Sequence, residues 1–432
     1  MVQERGKAFN YAIGFFGLSI PINMLKTYAA IFYVDTLGLP TTQFALLLFL
    51  YTFLDAIDNP VYGFLSDRTR SRWGRRKPWM TIATPLLVLG LIFFYSPPAS
   101  LAGNSLFIYC LLMYSFTGTI DSVINANYAA LFPEMFKTDA DRAKTNAMRQ
   151  AFMLVAMIIS IALTPIVTKA IGYQMTAIVY GLLGGATILY MALTSKERYV
   201  QTDEAKPKLW SSIWQLLTNP KFWISGLANA FYSAGMAMVL ASMPFYAKYT
   251  LGISSLQTTI LFASVILIAI GGVAVWAWLV KKFTVMPVWR ASLLTLALTF
   301  IPLYFARNFV TAIIGSALVG LGFAGVITTM DLISAKVMDE DAEKYKVHRE
   351  GLIANALGFM GRLSGVFTGA GFLLVSILYQ YKSGTEPGPQ PDSAARFLLC
   401  VFPPILMLIA FGFSWLIRFD KKTKAELKAA TD

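Results

Sequence analysis

Residues Tyr51 to Trp79 read YTFLDAIDNPVYGFLSDRTRSRWGRRKPW. The first part is an apolar helical pattern with two carboxylates, Asp55 and Asp58, near its middle. The pattern stops at Asp67 and gives way to a loop dense in arginine. Asp55, Asp58 and Asn59 follow i, i+3, i+4 spacing and therefore share one helix face. An Asp at the centre of a membrane helix costs roughly 2.5–3.5 kcal/mol on insertion scales. Two within one turn require a partner: a cation, a proton or a basic side chain. One reading is an ion or substrate site, because charges inside a membrane mark pathways. The other is an internal ion pair that only ties helices together.

The rest of the chain is the setting such a stretch requires. Of 432 residues, 56% are hydrophobic and 14% charged, against about 25% charged in soluble domains. Apolar runs of spanning length recur throughout, so the expectation is an all-α polytopic membrane protein. The net charge of +13 could indicate nucleic acid, but the basic residues fall mostly in alternate loops, the positive-inside pattern. Arg5 and Lys7 lead into a span too long for a cleavable signal. Cys110 and Cys400 lie in apolar runs with no disulfide or metal spacing, and the single histidine, His348, lies in a basic loop. No cofactor is expected.

Counting on the ~20-residue rule gives about twelve spans. Their approximate limits are 9–33, 41–66, 78–97, 104–132, 146–170, 174–194, 221–249, 255–280, 287–306, 309–336, 350–380 and 394–418. Loops near 67–77, 133–145, 195–220, 281–290 and 337–349, with both tails, hold most of the Lys and Arg. The opposite loops hold few, among them Lys169, Lys248, Arg307, Lys382 and Arg396. Both termini are thus expected in the cytoplasm, with the chain in the plasma (inner) membrane. The polar stretch at 195–220 divides the chain into an N-terminal six-helix bundle, 1–194, and a C-terminal one, 221–418, followed by a tail, 419–432. Parallel six-span halves joined by a cytoplasmic linker point to the major facilitator architecture.

Gly63-Phe-Leu-Ser-Asp67-Arg68, followed by Arg72-Trp73-Gly74-Arg75-Arg76, is similar to the signature loop of the major facilitator superfamily. Gly63 permits close helix approach. Asp67 ends a helix where it can pair across the seam between halves, and charged contacts there are expected to favour an outward-open state. Gly63, Asp67, Arg68, Arg72, Arg75 and Arg76 are the candidate gating residues. DAIDNP together with RSRWGRRKPW narrows the likeness: the chain resembles the glycoside–pentoside–hexuronide:cation symporter family. Phe32 to Leu39, Asn127 to Glu134, Asp141 to Gln150 and Asp339 to Gly351 resemble further family segments in both halves. Arg362 falls where a family member has lysine, and Arg149 matches an arginine near the family's sugar site.

The likeness implies a sugar carried with a cation, through residues that depart from the family pattern. The family's second-span carboxylates lie four apart; here Asn59 holds the second position and Asp58 stands one place earlier. Ser122 matches a cation-site hydroxyl, Asn125 replaces a sugar-binding aspartate, and Leu18 and Ser19 replace a Lys–Asp pair. Lys26 and Asp121 are new charges. The candidate cation site, for Na+ or H+, is Asp55, Asp58, Asn59 and Ser122. Hard oxygen ligands suit Na+, with Asp55, Asp58 and Asn59 as its expected ligands, and a buried carboxylate suits proton carriage.

Ser19, Asn23 and Lys26 form one polar stripe at i, i+4, i+7, and Asp121, Asn125 and Tyr128 form another. With Arg149, Phe359 and Arg362 they are the candidate substrate-binding residues. Tyr128 and Phe359 can be sugar platforms or ordinary packing, and single polar residues can be interhelical glue. No Walker loop, HExxH or GxSxG occurs, so an enzyme is not expected. The expected function is cation-coupled symport of a sugar, glycoside or sugar acid by a monomer that touches membrane lipid and no nucleic acid. The alternatives are transport of an amphipathic lipid or lysolipid, and a non-transporting sensor.

Overall fold

The computed structural model describes residues 2–69, 71–136, 139–195, 214, 217–345 and 350–417. Every regular element among them is helical, as lipid demands of a backbone that must satisfy its own hydrogen bonds. Span 1 is Val2–Ala30, extended by a π-turn, Ile31–Thr36. Spans 2, 3 and 4 are Thr41–Arg68, Lys77–Phe94 and Asn104–Met135. Span 5 comprises Asp139–Met157, a π-turn Ile158–Ala162 and the first turns of Thr164–Thr194. Gly172, at φ 77°, breaks that last helix, and the remainder is span 6.

In the second half, span 7 is Pro220–Phe245 with a π-turn, Tyr246–Leu251. Spans 8, 9 and 10 are Ser255–Phe283, Val285–Phe305 and Phe309–Tyr345. Span 11 is Glu350–Arg362 and Ser364–Tyr379, interrupted at Leu363. Span 12 is Pro391–Arg396, a π-turn Phe397–Val401, and Phe402–Leu416. The twelve crossings match the sequence expectation. Eleven are long and apolar enough to cross a membrane among the described residues. In span 2 the apolar stretch is the shorter Thr41–Asp55, ending where the carboxylates begin.

Within each half the spans pack as a bundle: 1 on 5 and 6, 2 and 3 on 4, 8 and 9 on 10, and 7 on 11 and 12. Between the halves, span 1 meets 7, span 2 meets 11, and span 5 meets 8. Adding six to each number exchanges the last two pairings, as parallel repeats related by a two-fold axis require.

These interhalf contacts gather at the end opposite the arginine loop. Span 11 approaches span 2 through Gly365 and Gly369, spaced as the small-xxx-small motif requires. A Cβ at Gly365 would lie 2.3 Å from Thr52 Oγ1, and one at Gly369 2.9 Å from the Ala45 carbonyl oxygen. The turns close the same end. The Thr41 amide donates to the Lys382 carbonyl (2.7 Å), and the Gly384 amide to the Val34 carbonyl (2.9 Å). Gly365→Leu should therefore lower the melting temperature in detergent, through overpacking that costs about 1–3 kcal/mol. A wild-type melt would show that spans 2 and 11 do not pack through this glycine.

Candidate functional site

Midway along span 2, Asp55 and Asp58 turn toward span 4. Ser122 Oγ donates to Asp55 Oδ1 at 3.2 Å, and Thr119 Oγ1 donates to Asp58 Oδ2 at 2.6 Å. Each pair of residues is three apart on its helix. Spans 2 and 4 run in the same direction, and one turn of each faces the other here, so Asp55 meets Ser122 and Asp58 meets Thr119. The contact gives Asp58 a hydroxyl partner of its own. It also identifies Thr119, a contributor absent from the sequence-based set, which lies one turn from Ser122 on the same face.

The second half supplies the countercharge. Arg362 Nη1 donates to Asp55 Oδ1 at 2.7 Å and to the Asp55 carbonyl at 3.0 Å. The Arg362 side chain is 31% exposed and that of Asp55 14%, so the pair is partly solvated. It joins the last residue of the first segment of span 11 to the middle of span 2, linking the halves at mid-depth.

The expected substrate residues divide between this cleft and the packing around it. Asp121 is buried beside the carboxylates and accepts from Asn125 Nδ2 at 2.8 Å. The charges of Lys26 and Arg362 both act on it, which places Lys26 near the same cleft. Lys26 is exposed and has no carboxylate within ion-pair distance among the described residues. Phe359, one turn before Arg362, is 44% exposed.

Ser19 instead donates to the Phe15 carbonyl of its own helix (2.7 Å), and Asn23 donates to Ser160 on span 5 (3.2 Å). Tyr128 is buried against Tyr11, with ring centroids 4.3 Å apart and planes within 9°; each hydroxyl donates to the other residue's carbonyl. It presents no free ring face, and the packing alternative describes it. Arg149 lies over the Phe15 ring at 4.9 Å, a cation–π contact, and its Nε is buried with no hydrogen-bond partner among the described residues. Its charge acts on Asp331 in the opposite half.

The side chains of Asn59, Gly63, Asp67 and Arg68 lie outside the described residues. Of the other expected gating residues, Arg72 is exposed and Arg75 half-buried. Arg76 is buried and donates to Ser66 Oγ at 3.5 Å within its own half. Among the described residues no cluster of three or more His, Cys, Asp or Glu could hold a metal ion. The oxygen donors on this face are two carboxylates and two hydroxyls, all hard donors that suit an alkali cation or a proton.

Two half-bundles around a charged mid-membrane cleft define a membrane transporter and not an enzyme. The chain belongs to the MFS/sugar transport protein family, which matches residues 10–421. It is 24% identical over 441 residues to an isoprimeverose transporter of Lactiplantibacillus pentosus, covering 98% of this chain and 90% of that one. It is also 24% identical over 388 residues to a Salmonella typhimurium protein named as a candidate sulfoquinovose importer, covering 85% and 80%. A crystal structure of the nucleoside transporter NupG, in mutant form, superposes with a TM-score of 0.73 at 10% identity, covering 95% of this chain and 100% of that one. That last likeness establishes the fold alone.

A double-mutant cycle tests the ion pair. Arg362→Met and Asp55→Asn should each lower the melting temperature in detergent. The double variant should lose less than the sum, with a coupling of roughly 0.5–3 kcal/mol. Strictly additive losses would mean that the two charges do not hold each other.

Proposed function

We propose that this chain is a secondary active transporter that carries a sugar or sugar acid together with a cation, Na+ or H+, by rocking its halves about the mid-membrane cleft. The observation that carries the proposal is the shared use of Asp55. One carboxylate oxygen accepts from Ser122 in its own half and from Arg362 in the other. A cation arriving at Asp55 and Asp58 takes over the role of the guanidinium. Arg362 is then released from the seam, and its planar fork is free for a substrate acid or hydroxyl. Binding thereby exchanges an interhalf contact for a contact to cargo, which is the differential interaction that a population shift requires.

The positive-inside distribution supports a cytoplasmic arginine loop and cytoplasmic termini. The sealed end then faces outward, and the described conformation is cytoplasm-facing. The cleft is built within one chain, which supports a monomer as the transporting unit. The exposed ammonium of Lys26 favours an acidic over a neutral sugar, because its charge lies where cargo would pass.

Uptake into vesicles is the test. Asp55→Asn with Asp58→Asn should abolish accumulation driven by a sodium or proton gradient while leaving the protein folded in the membrane. In wild type, a sugar acid should compete with labelled substrate more strongly than the matched neutral sugar, and Lys26→Gln should narrow that difference. Undiminished gradient-driven accumulation by the double variant would overturn the coupling role. Equal competition by acid and neutral sugar would remove the acidic preference.

A further inference from the structure

The sealed end holds a second polar cluster that the mid-membrane site does not use. Asp35 sits on the π-turn ending span 1, its side chain 5% exposed. Its Oδ2 accepts from Lys248 Nζ at 2.5 Å. Its Oδ1 accepts from the Tyr249 hydroxyl and, at 3.3 Å, from the Tyr381 hydroxyl. All three donors belong to the second half. Lys248 and Tyr249 ride on the π-turn ending span 7, the counterpart of the turn that carries Asp35. Such turns re-aim side chains and recur at functional positions. Beside them Gly384 fits only without a side chain, because a Cβ there would lie 1.9 Å from the Asp35 carbonyl oxygen.

Lys248 differs from the carboxylate it holds: its side chain is 52% exposed. It lines a cavity of about 420 Å³ that straddles the halves, with Tyr28 and Thr168 on one side and Ser255 and Thr258 on the other. That volume lies within the range of about 300–1,000 Å³ usual for small-molecule sites. Tyr173 adds a second aromatic wall. One ammonium, several hydroxyls and aromatic rings are the complement of a polyol bearing a carboxylate or sulfonate.

We propose that this cavity receives the acid group of an incoming sugar acid, and that its occupation unlatches the outer seal. A second anion on Lys248 competes with Asp35. It leaves a buried carboxylate supported only by two neutral hydroxyls, a costly arrangement. The cost is relieved when the halves part and water reaches Asp35. The site is thus a ligand-operated latch, distinct from the transport site at Asp55 and Arg362. It rests on the acidic-sugar reading above and has a readout separate from uptake.

Pulsed electron spin resonance on the full chain in nanodiscs tests this. Labels go on cysteines replacing Ala102 and Asn308, exposed positions on the outer connections of the two halves. Cys110 and Cys400 are replaced by alanine. Glucuronate should lengthen the label separation in wild type, and glucose should not. Asp35→Asn should be wide from the start and should bind glucuronate about tenfold more tightly, the competitor being gone. Lys248→Gln should also be wide but should not bind glucuronate at this site. Arg362→Gln, altered only at mid-membrane, should keep glucuronate-driven opening. Opening by both sugars alike, opening by neither, glucuronate binding unchanged in Asp35→Asn, or a response lost in Arg362→Gln but kept in Lys248→Gln would each overturn the latch. Glucuronate opening in a chain that accumulates only neutral sugar would leave the latch standing and the acidic-substrate reading fallen.

Discussion

A carboxylate at mid-depth in a membrane bundle must keep a partner, and at Asp55 the described partner is a guanidinium borrowed from the other half of the molecule. That single constraint couples the parts of the structure. It brings Arg362, at the interruption of span 11, against span 2. It also makes the relative position of the halves depend on the charge state of one side chain. A buried pair is weak evidence of net stability, because desolvation offsets most of the attraction. Its value here is that it can be exchanged. Any group that satisfies Asp55 in place of Arg362 alters which interhalf arrangement is lowest in free energy.

The remaining contacts determine what that exchange can move. Spans 2 and 11 touch closely at Gly365, against the Thr52 hydroxyl, and at Gly369, against the Ala45 carbonyl, and the turn at Gly384 presses on Asp35. The outer end is therefore joined by backbone proximity, two backbone hydrogen bonds and the Asp35 cluster. The mid-membrane level is joined by Asp55 and Arg362, both partly exposed. Loosening the middle alone leaves the outer seal in place; opening to the outside requires the Asp35 cluster to part. Two latches in series, each a carboxylate on the first half held by a cation on the second, are what alternating access asks of two rigid bundles.

Much of this was legible in the sequence. The spans follow from apolar length, and the division into halves follows from the polar stretch at 195–220. Asp55 and Asp58 stand out because charge is rare in such runs, and Arg362 because a base on a span needs an acid. What was not legible depended on register between helices. Thr119 is an ordinary threonine until span 4 is packed against span 2. Tyr128 looks like a sugar platform until Tyr11 stacks on it, and Asn23 looks like a cavity residue until Ser160 meets it. Asp35 and Lys248 lie 213 positions apart at the ends of different spans, where charge is common. Nothing local distinguishes them, because their pairing is created by π-turns and by the docking of the halves.

The most direct measurement is ion binding to purified protein with and without the competing guanidinium. Wild type and Arg362→Gln are titrated with Na+ and, separately, with protons. If Asp55 is shared between Arg362 and the coupling cation, the variant should bind that cation more tightly, by about tenfold on the usual scale of such couplings. Unchanged affinity for both ions would mean that Arg362 does not compete for the site and that the exchange at Asp55 does not occur.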